Sequence, residues 1–120
     1  MSTKILLAED ELTLAHILKL KLTNGGFDVT VVTNGRELIG EFPRKKYHLV
    51  ITDLIMPDMN CFEALEKLQA KKHHVPILVI SNLGQKEDVD KAISLGATEF
   101  LIKTNVSIND IVEKAHKMTQ

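Results

Sequence analysis

The chain has 120 residues, enough for one compact domain with a single hydrophobic core. Apolar residues make up 44% and charged residues 26%, and the net charge of −1 gives no reason to expect nucleic acid or an anionic membrane as partner. The single cysteine excludes an internal disulfide, and no apolar run approaches the roughly 20 residues that span a bilayer.

The opening Met-Ser-Thr-Lys runs into a strand-like segment over 4–8 without a secretory apolar region, so a cytoplasmic protein is expected. Helical spacing follows over 11–24, with Leu14, Ile17, Leu18 and Leu22 on one side, and Asn24-Gly25-Gly26 supplies the stop. Phe27–Val32 is rich in β-branched residues and reads as a second strand. Asn34, with Glu37 three residues on, reads as the N-cap of a second helix whose buried face is Leu38, Ile39 and Phe42, ending near Pro43. A third strand over 48–52 ends at Asp53. A helix over 60–71 turns Phe62, Leu65 and Leu68 inward. A fourth strand over 75–80 ends at Ser81, and a helix over 86–95 is closed by Gly96. A fifth strand over 98–102 ends at Lys103. Ser107 and Asp110 then form a capping box before a last helix with Ile108, Ile111, Val112 and Ala115 on one face.

Strand and helix alternate five times at spacings that predict a parallel sheet with helices on both faces, in one domain over 1–120. In such open sheets ligands bind beyond the carboxyl ends of the strands. Charged or hydroxyl residues directly follow four of the five strands: Glu9 and Asp10, then Asp53, Ser81 and Lys103, whereas the second strand runs into uncharged Thr33-Asn34. Three converging carboxylates repel one another, which a hard cation relieves, and Mg²⁺ suits a few carboxylates plus phosphate oxygens. An aspartate can attack phosphorus, and a nearby ammonium supplies the charge neutralisation that phosphoryl transfer needs. Taken singly, an aspartate after a strand is ordinarily a turn or capping residue, as Asp10 would be for the first helix. The conjunction carries the functional reading.

The segments Lys4-Ile-Leu-Leu-Ala-Glu9-Asp10-Glu11, Asp53-Leu-Ile-Met56-Pro57-Asp58-Met59-Asn60, Pro76-Ile-Leu-Val-Ile-Ser81 and Gly96-Ala-Thr-Glu-Phe100-Leu-Ile-Lys103 resemble the receiver domain of two-component response regulators, the single-domain chemotaxis type included. The resemblance spans nearly the whole chain in order. It implies a flavodoxin-like, doubly wound α/β fold with five helices and strand order 2-1-3-4-5. It also implies Asp53 as phosphoacceptor, and Mg²⁺ (or Mn²⁺) held by Glu9, Asp10, Asp53 and the main-chain carbonyl of Ile55. Ser81 would be the switch hydroxyl, Lys103 the phosphate partner and Phe100 a rotameric switch, although Phe100 suits a plain core role equally. The implied function is a phosphorylation-activated signalling switch, not a turnover enzyme. Its phosphoryl donor would be a histidine kinase or phosphotransfer protein. Its output would be protein–protein contact through the fourth helix, fifth strand and fifth helix, a face that would also serve a dimer.

The chain departs from the family pattern at three places. Cys61 replaces a glycine at the turn into the third helix, and is read as a small apolar filler. Thr104 replaces a proline after Lys103, and since a non-proline cis bond costs about 2.5–4 kcal/mol, a trans peptide and a reshaped loop are expected. Asn82 replaces a small residue after the switch hydroxyl, which predicts an altered rate of dephosphorylation. A phosphorylation-independent interaction module on the same fold is the competing reading. A phosphatase with an aspartyl-phosphate intermediate would carry a second acid where Ile55 stands. The five histidines form no ligand set, and His73-His74 and Arg44-Lys45-Lys46 read as positive charge at helix ends. Met56 reads as packing beneath the Asp53 loop, and neither a P-loop nor a Gly-x-Ser-x-Gly elbow is present.

Overall fold

Near-continuous apolar strands such as Ile5-Leu6-Leu7-Ala8 and Leu49-Val50-Ile51 belong to a parallel sheet covered on both faces. The computed structural model has that architecture. It describes residues 2–54, 56, 61–69, 75–82 and 85–120, with the backbone alone at 61. In chain order the elements are β1 (Thr3–Ala8), α1 (Leu12–Asn24), β2 (Phe27–Val32), α2 (Gly35–Glu41), β3 (Leu49–Asp53), α3 (Cys61–Gln69), β4 (Ile77–Ser81), α4 (Lys86–Ser94), β5 (Glu99–Ile102) and α5 (Ile108–Met118). Short 3₁₀ turns cover Phe42–Arg44 and Lys103–Asn105. All pairings are parallel, in the order β2-β1-β3-β4-β5 implied by the resemblance.

Strand alternation divides the core in two. Leu6, Ala8, Val50 and Val79 pack with Leu38 of α2, Leu65 and Leu68 of α3 and Ala92 of α4. Ile5, Leu7, Ile51 and Ile80 pack with Leu18 and Leu22 of α1 and Ile111 and Ala115 of α5. Burying such leucines and isoleucines is worth about 1.5–3 kcal/mol each, so the two cores fix the sheet order and register. Met56 is buried in the first core, as expected.

Local chemistry sets the boundaries. Ser107 Oγ accepts from Asp110 N–H at 3.1 Å and Asp110 Oδ2 accepts from Ser107 N–H at 2.8 Å, completing the predicted capping box. Asn34 caps α2 by accepting from Glu37 N–H at 2.8 Å, but Glu37 reaches one residue further back, to the Thr33 N–H (2.8 Å) and hydroxyl (3.0 Å). The β4 segment starts later than 75 because Pro76 has no N–H to donate, although its carbonyl accepts from Val50 N–H at 3.0 Å. β5 starts after Thr98, whose hydroxyl takes the Ile77 N–H at 3.1 Å in place of a backbone acceptor. Phe42 is buried from the 3₁₀ turn that contains Pro43, not from α2 itself.

Ile17 corrects the expected inward face of α1: it is exposed, whereas Ala15, Leu18 and Leu22 are buried and Leu14 is half-buried. One residue of helix turns the side chain by about 100°, which carries position 17 off the face that 18 and 22 define. The first and last residues expected in α3, 60, 70 and 71, lie outside the described residues, as do His73 and His74.

Candidate functional site

Parallel pairing brings the strand ends to one edge. Asp53 closes β3 and Ser81 closes β4. Ser81 is in register with Ile102, directly before Lys103. Ala8 of β1 lies beside both Val32 and Thr52, and Glu9 N–H donates to Val32 O at 3.0 Å, carrying the ladder one residue past the strand. Glu9 is therefore held in the covered part of the sheet and is fully buried, while Asp10, next in line, is exposed.

The centre of the site is a lysine shared by two carboxylates. Lys103 Nζ donates to Asp53 Oδ2 at 2.6 Å and to Glu9 Oε1 at 2.8 Å. The other Glu9 oxygen, Oε2, accepts from Glu11 N–H at 3.1 Å. Burial pushes the Glu9 carboxyl above its ordinary range, the Lys103 and Glu11 hydrogen bonds work against that rise, and the Asp53 charge adds to it. For Lys103 burial favours the neutral amine, but the hydrogen bonds it donates to Asp53 and Glu9, with their negative charge, outweigh that and raise its pKa, so the ammonium is retained. Oxygens of Glu9, Asp10 and Asp53 all lie within 4.8 Å of one another. An all-carboxylate set with one exposed member suits a hard, partly hydrated divalent cation.

Glu9, Asp10, Asp53, Ser81 and Lys103 thus stand at the edge where they were expected. Ile55, the expected carbonyl ligand, lies outside the described residues, as does the Cys61 side chain. Phe100 stands apart from the carboxylates: it is half-buried on β5, in register with Val79, and packs on the core beneath α3 and α4. The Lys103–Thr104 peptide is trans, as threonine in place of proline predicts, and the chain after β5 forms a 3₁₀ turn over Lys103–Asn105. Asn82 is exposed beside Ser81. The Lys103–Glu9 bond was not foreseen. Its signal was Glu9's place one residue beyond a doubly covered strand, where a carboxylate needs a buried cation as partner.

The fold and site define a class: a doubly wound, flavodoxin-like receiver module whose acidic strand edge is bridged by lysine. The family model of the response regulator receiver domain matches residues 5–116, and the chain belongs to that family. The chemotaxis protein CheY of Thermotoga maritima is 30% identical over 121 residues, covering all of both chains. Sensory transduction protein RegX3 of Mycobacterium tuberculosis is 33% identical over 101 residues, 84% of this chain and 44% of that protein. Alongside the full-length match to CheY, the chain spans half or less of its longer relatives. Among solved structures, the receiver domain of Francisella response regulator 1452 has a TM-score of 0.91 at 24% identity, over 98% of this chain and 97% of that one. CheY4 of Vibrio cholerae has a TM-score of 0.91 at 21% identity, over 98% and 99%. These last two likenesses establish the fold.

Proposed function

We propose that this receiver domain is a switch that accepts a phosphoryl group on Asp53 from the phosphohistidine of a histidine kinase or phosphotransfer protein. The observation that carries the reading is the Lys103 ammonium, 2.6 Å from Asp53 and 2.8 Å from Glu9, at a strand edge that also holds Asp10.

An Asp53 carboxylate oxygen attacks phosphorus, the phosphorus–nitrogen bond to the donor breaks, and the nitrogen leaves with its electron pair. The transferring group carries charge on its outer oxygens, so catalysis consists of placing and neutralising. Lys103 donates to one of those oxygens from its position beside Asp53. The Ser81 hydroxyl, buried at the end of β4, donates to another. Glu9, Asp10 and Asp53 are the residues that would hold Mg²⁺, which supplies further neutralisation of the phosphoryl oxygens when bound. The acyl phosphate is lost to water, so the domain carries a timed signal and turns over no free substrate. Redistribution of charge at the edge passes to the face of α4, β5 and α5, where an output protein, or a second copy of the domain, is gained or released. A cytoplasmic setting, where such kinases present their phosphohistidine, completes the reading, and among the described residues no helix is long and apolar enough to cross a membrane.

The test is incubation with a small acyl-phosphate donor and Mg²⁺. The intact mass should rise by one phosphoryl group, and Asp53→Ala should show no increase. An unmodified wild-type protein under saturating donor and Mg²⁺ would reduce the chain to a phosphorylation-independent interaction module.

A further inference from the structure

We propose that the pocket at the amino edge of the sheet, at the opposite end of the strands from Asp53, binds a small soluble phosphomonoester. The proposal stands apart from the phosphoacceptor reading and uses none of its residues.

β1 and β3 start side by side, with Ile5 in register with Leu49. Where they start, Ser2, Thr3, Lys4, Lys46 and His48 line a pocket of about 430 Å³. Sites for small ligands run from about 300 to 1,000 Å³. Every polar side chain in the lining can donate. Ser2 and Thr3 bring hydroxyls, and Lys4 and Lys46 bring ammonium groups. His48 Nδ1 accepts from Lys4 N–H at 2.9 Å, so the neutral imidazole carries its proton on Nε2 as a further donor. His48 N–H donates in return to Lys4 O at 2.8 Å. The two bonds tie the imidazole to the backbone of β1, so this donor is placed before a ligand arrives. No carboxylate lines the pocket. Asp28 of β2, in register with Lys4, takes one of the three Lys4 ammonium N–H groups at 2.9 Å and leaves two. That hydrogen bond and the Lys4 charge hold the Asp28 carboxyl below its ordinary range, and the charges of Lys45 and Lys19 lower it further. Three lysines thus act on one carboxylate, and Lys46 stands with Lys4 in the pocket, so the field there is positive. An oxyanion fits such a donor set. A phosphomonoester, with up to two charges and three terminal oxygens, uses more of these donors than a carboxylate does. The volume leaves room for the group that bears the phosphate. None of the exposed large apolar side chains, Leu12, Ile17, Leu20 and Ile93, lines the pocket, which favours a soluble ligand over a lipid headgroup.

The test titrates the full chain with glycerol 3-phosphate, in phosphate-free buffer with chelator at constant ionic strength, and follows the amide resonances of Lys4, Lys46 and His48. These should shift and saturate with a dissociation constant of about 1 mM or tighter, while the Asp53 and Ser81 amides stay in place. Acetate should bind about tenfold more weakly or worse. Lys46 is exposed, and Lys46→Gln should weaken the phosphomonoester about tenfold, whereas Lys67→Gln, at an exposed lysine of α3, should change nothing. His48→Asn keeps an acceptor for the Lys4 N–H and removes the Nε2 donor, and should weaken binding about threefold or more. Phosphatidylcholine vesicles containing phosphatidic acid should leave the protein in the supernatant on sedimentation. Shifts that rise without saturating overturn the proposal, as does acetate binding equally well. So does a Lys46→Gln variant that loses no more affinity than Lys67→Gln. Sedimentation with the phosphatidic acid vesicles that depends on Lys46 would also overturn it, by making the ligand a lipid headgroup.

Discussion

At the scale of single residues, Lys103 is the group on which the site's charge balance turns. Its side chain is 14% exposed and serves two acidic partners, one of them without any solvent contact. Lys103→Met would keep the apolar stem and remove the charge, leaving Glu9 and Asp53 facing each other. The expected loss is about 1–3 kcal/mol by urea denaturation with chelator present, and added Mg²⁺ should restore part of it. An equal loss with and without Mg²⁺ would argue against a shared role for ammonium and cation. A second, part-buried pair lies outside this site. Tyr47 donates to Glu41 Oε2 at 2.6 Å, and burial together with that carboxylate pushes the phenol up to about 12. A raised folded-state pKa stabilises the protein fully below the unfolded value of about 10, and that contribution is lost as pH rises from there through 12. The stability gap between wild type and Tyr47→Phe should therefore shrink by on the order of 1–2 kcal/mol between pH 8 and pH 11.5. A constant gap would show that the phenol ionises alike in both states.

Secondary elements differ in how openly the sequence declares them. The capping box at Ser107 was legible because it depends on two residues three apart and nothing else. Ser107→Ala should cost about 1 kcal/mol in thermal or urea unfolding. Gly96 was legible as a helix stop, and its φ of +117° explains why glycine stands there. A Cβ at that position would also collide with the side chain of Gln69, which donates to Gly96 O at 3.4 Å. Gly96→Ala should destabilise by about 1–2 kcal/mol, more than the small helix-propensity gain alanine brings elsewhere, and Gln69→Ala should relieve part of that loss in the double variant. The burial of α1 was less legible. With leucine or isoleucine at 12, 14, 17, 18, 20 and 22, the apolar period has little contrast, and Leu12, Ile17 and Leu20 are exposed in the fold. Packing against the sheet and α5 decides which of these leucines are buried.

At the scale of the whole molecule, the strand-end reading needed parallel strands to bring the groups to one edge, and strands one, three, four and five as neighbours to bring them into one crevice. Alternation of short apolar runs with helical periods supplied the edge, and the order β2-β1-β3-β4-β5 meets the second condition. The strand order came from family resemblance and not from pattern. Glu9's place beyond a covered strand calls for a cation, but no local rule names Lys103 as that cation, because the two are 94 residues apart and meet only through that order. The same convergence predicts that Mg²⁺ stabilises the domain, by about 2.7 kcal/mol at a free concentration 100 times its dissociation constant, and that the gain disappears in Asp10→Asn. Absence of any shift at millimolar Mg²⁺ would mean that the three carboxylates do not act as one cation site. The central claim, that this edge makes Asp53 a nucleophile toward phosphorus, is tested most directly by reductive trapping. After treatment with an acyl-phosphate donor and Mg²⁺, borohydride converts an aspartyl phosphate to homoserine, and peptide sequencing by mass spectrometry should find homoserine at position 53. Homoserine at Asp10 or another acidic residue, with Asp53 unchanged, would contradict the account.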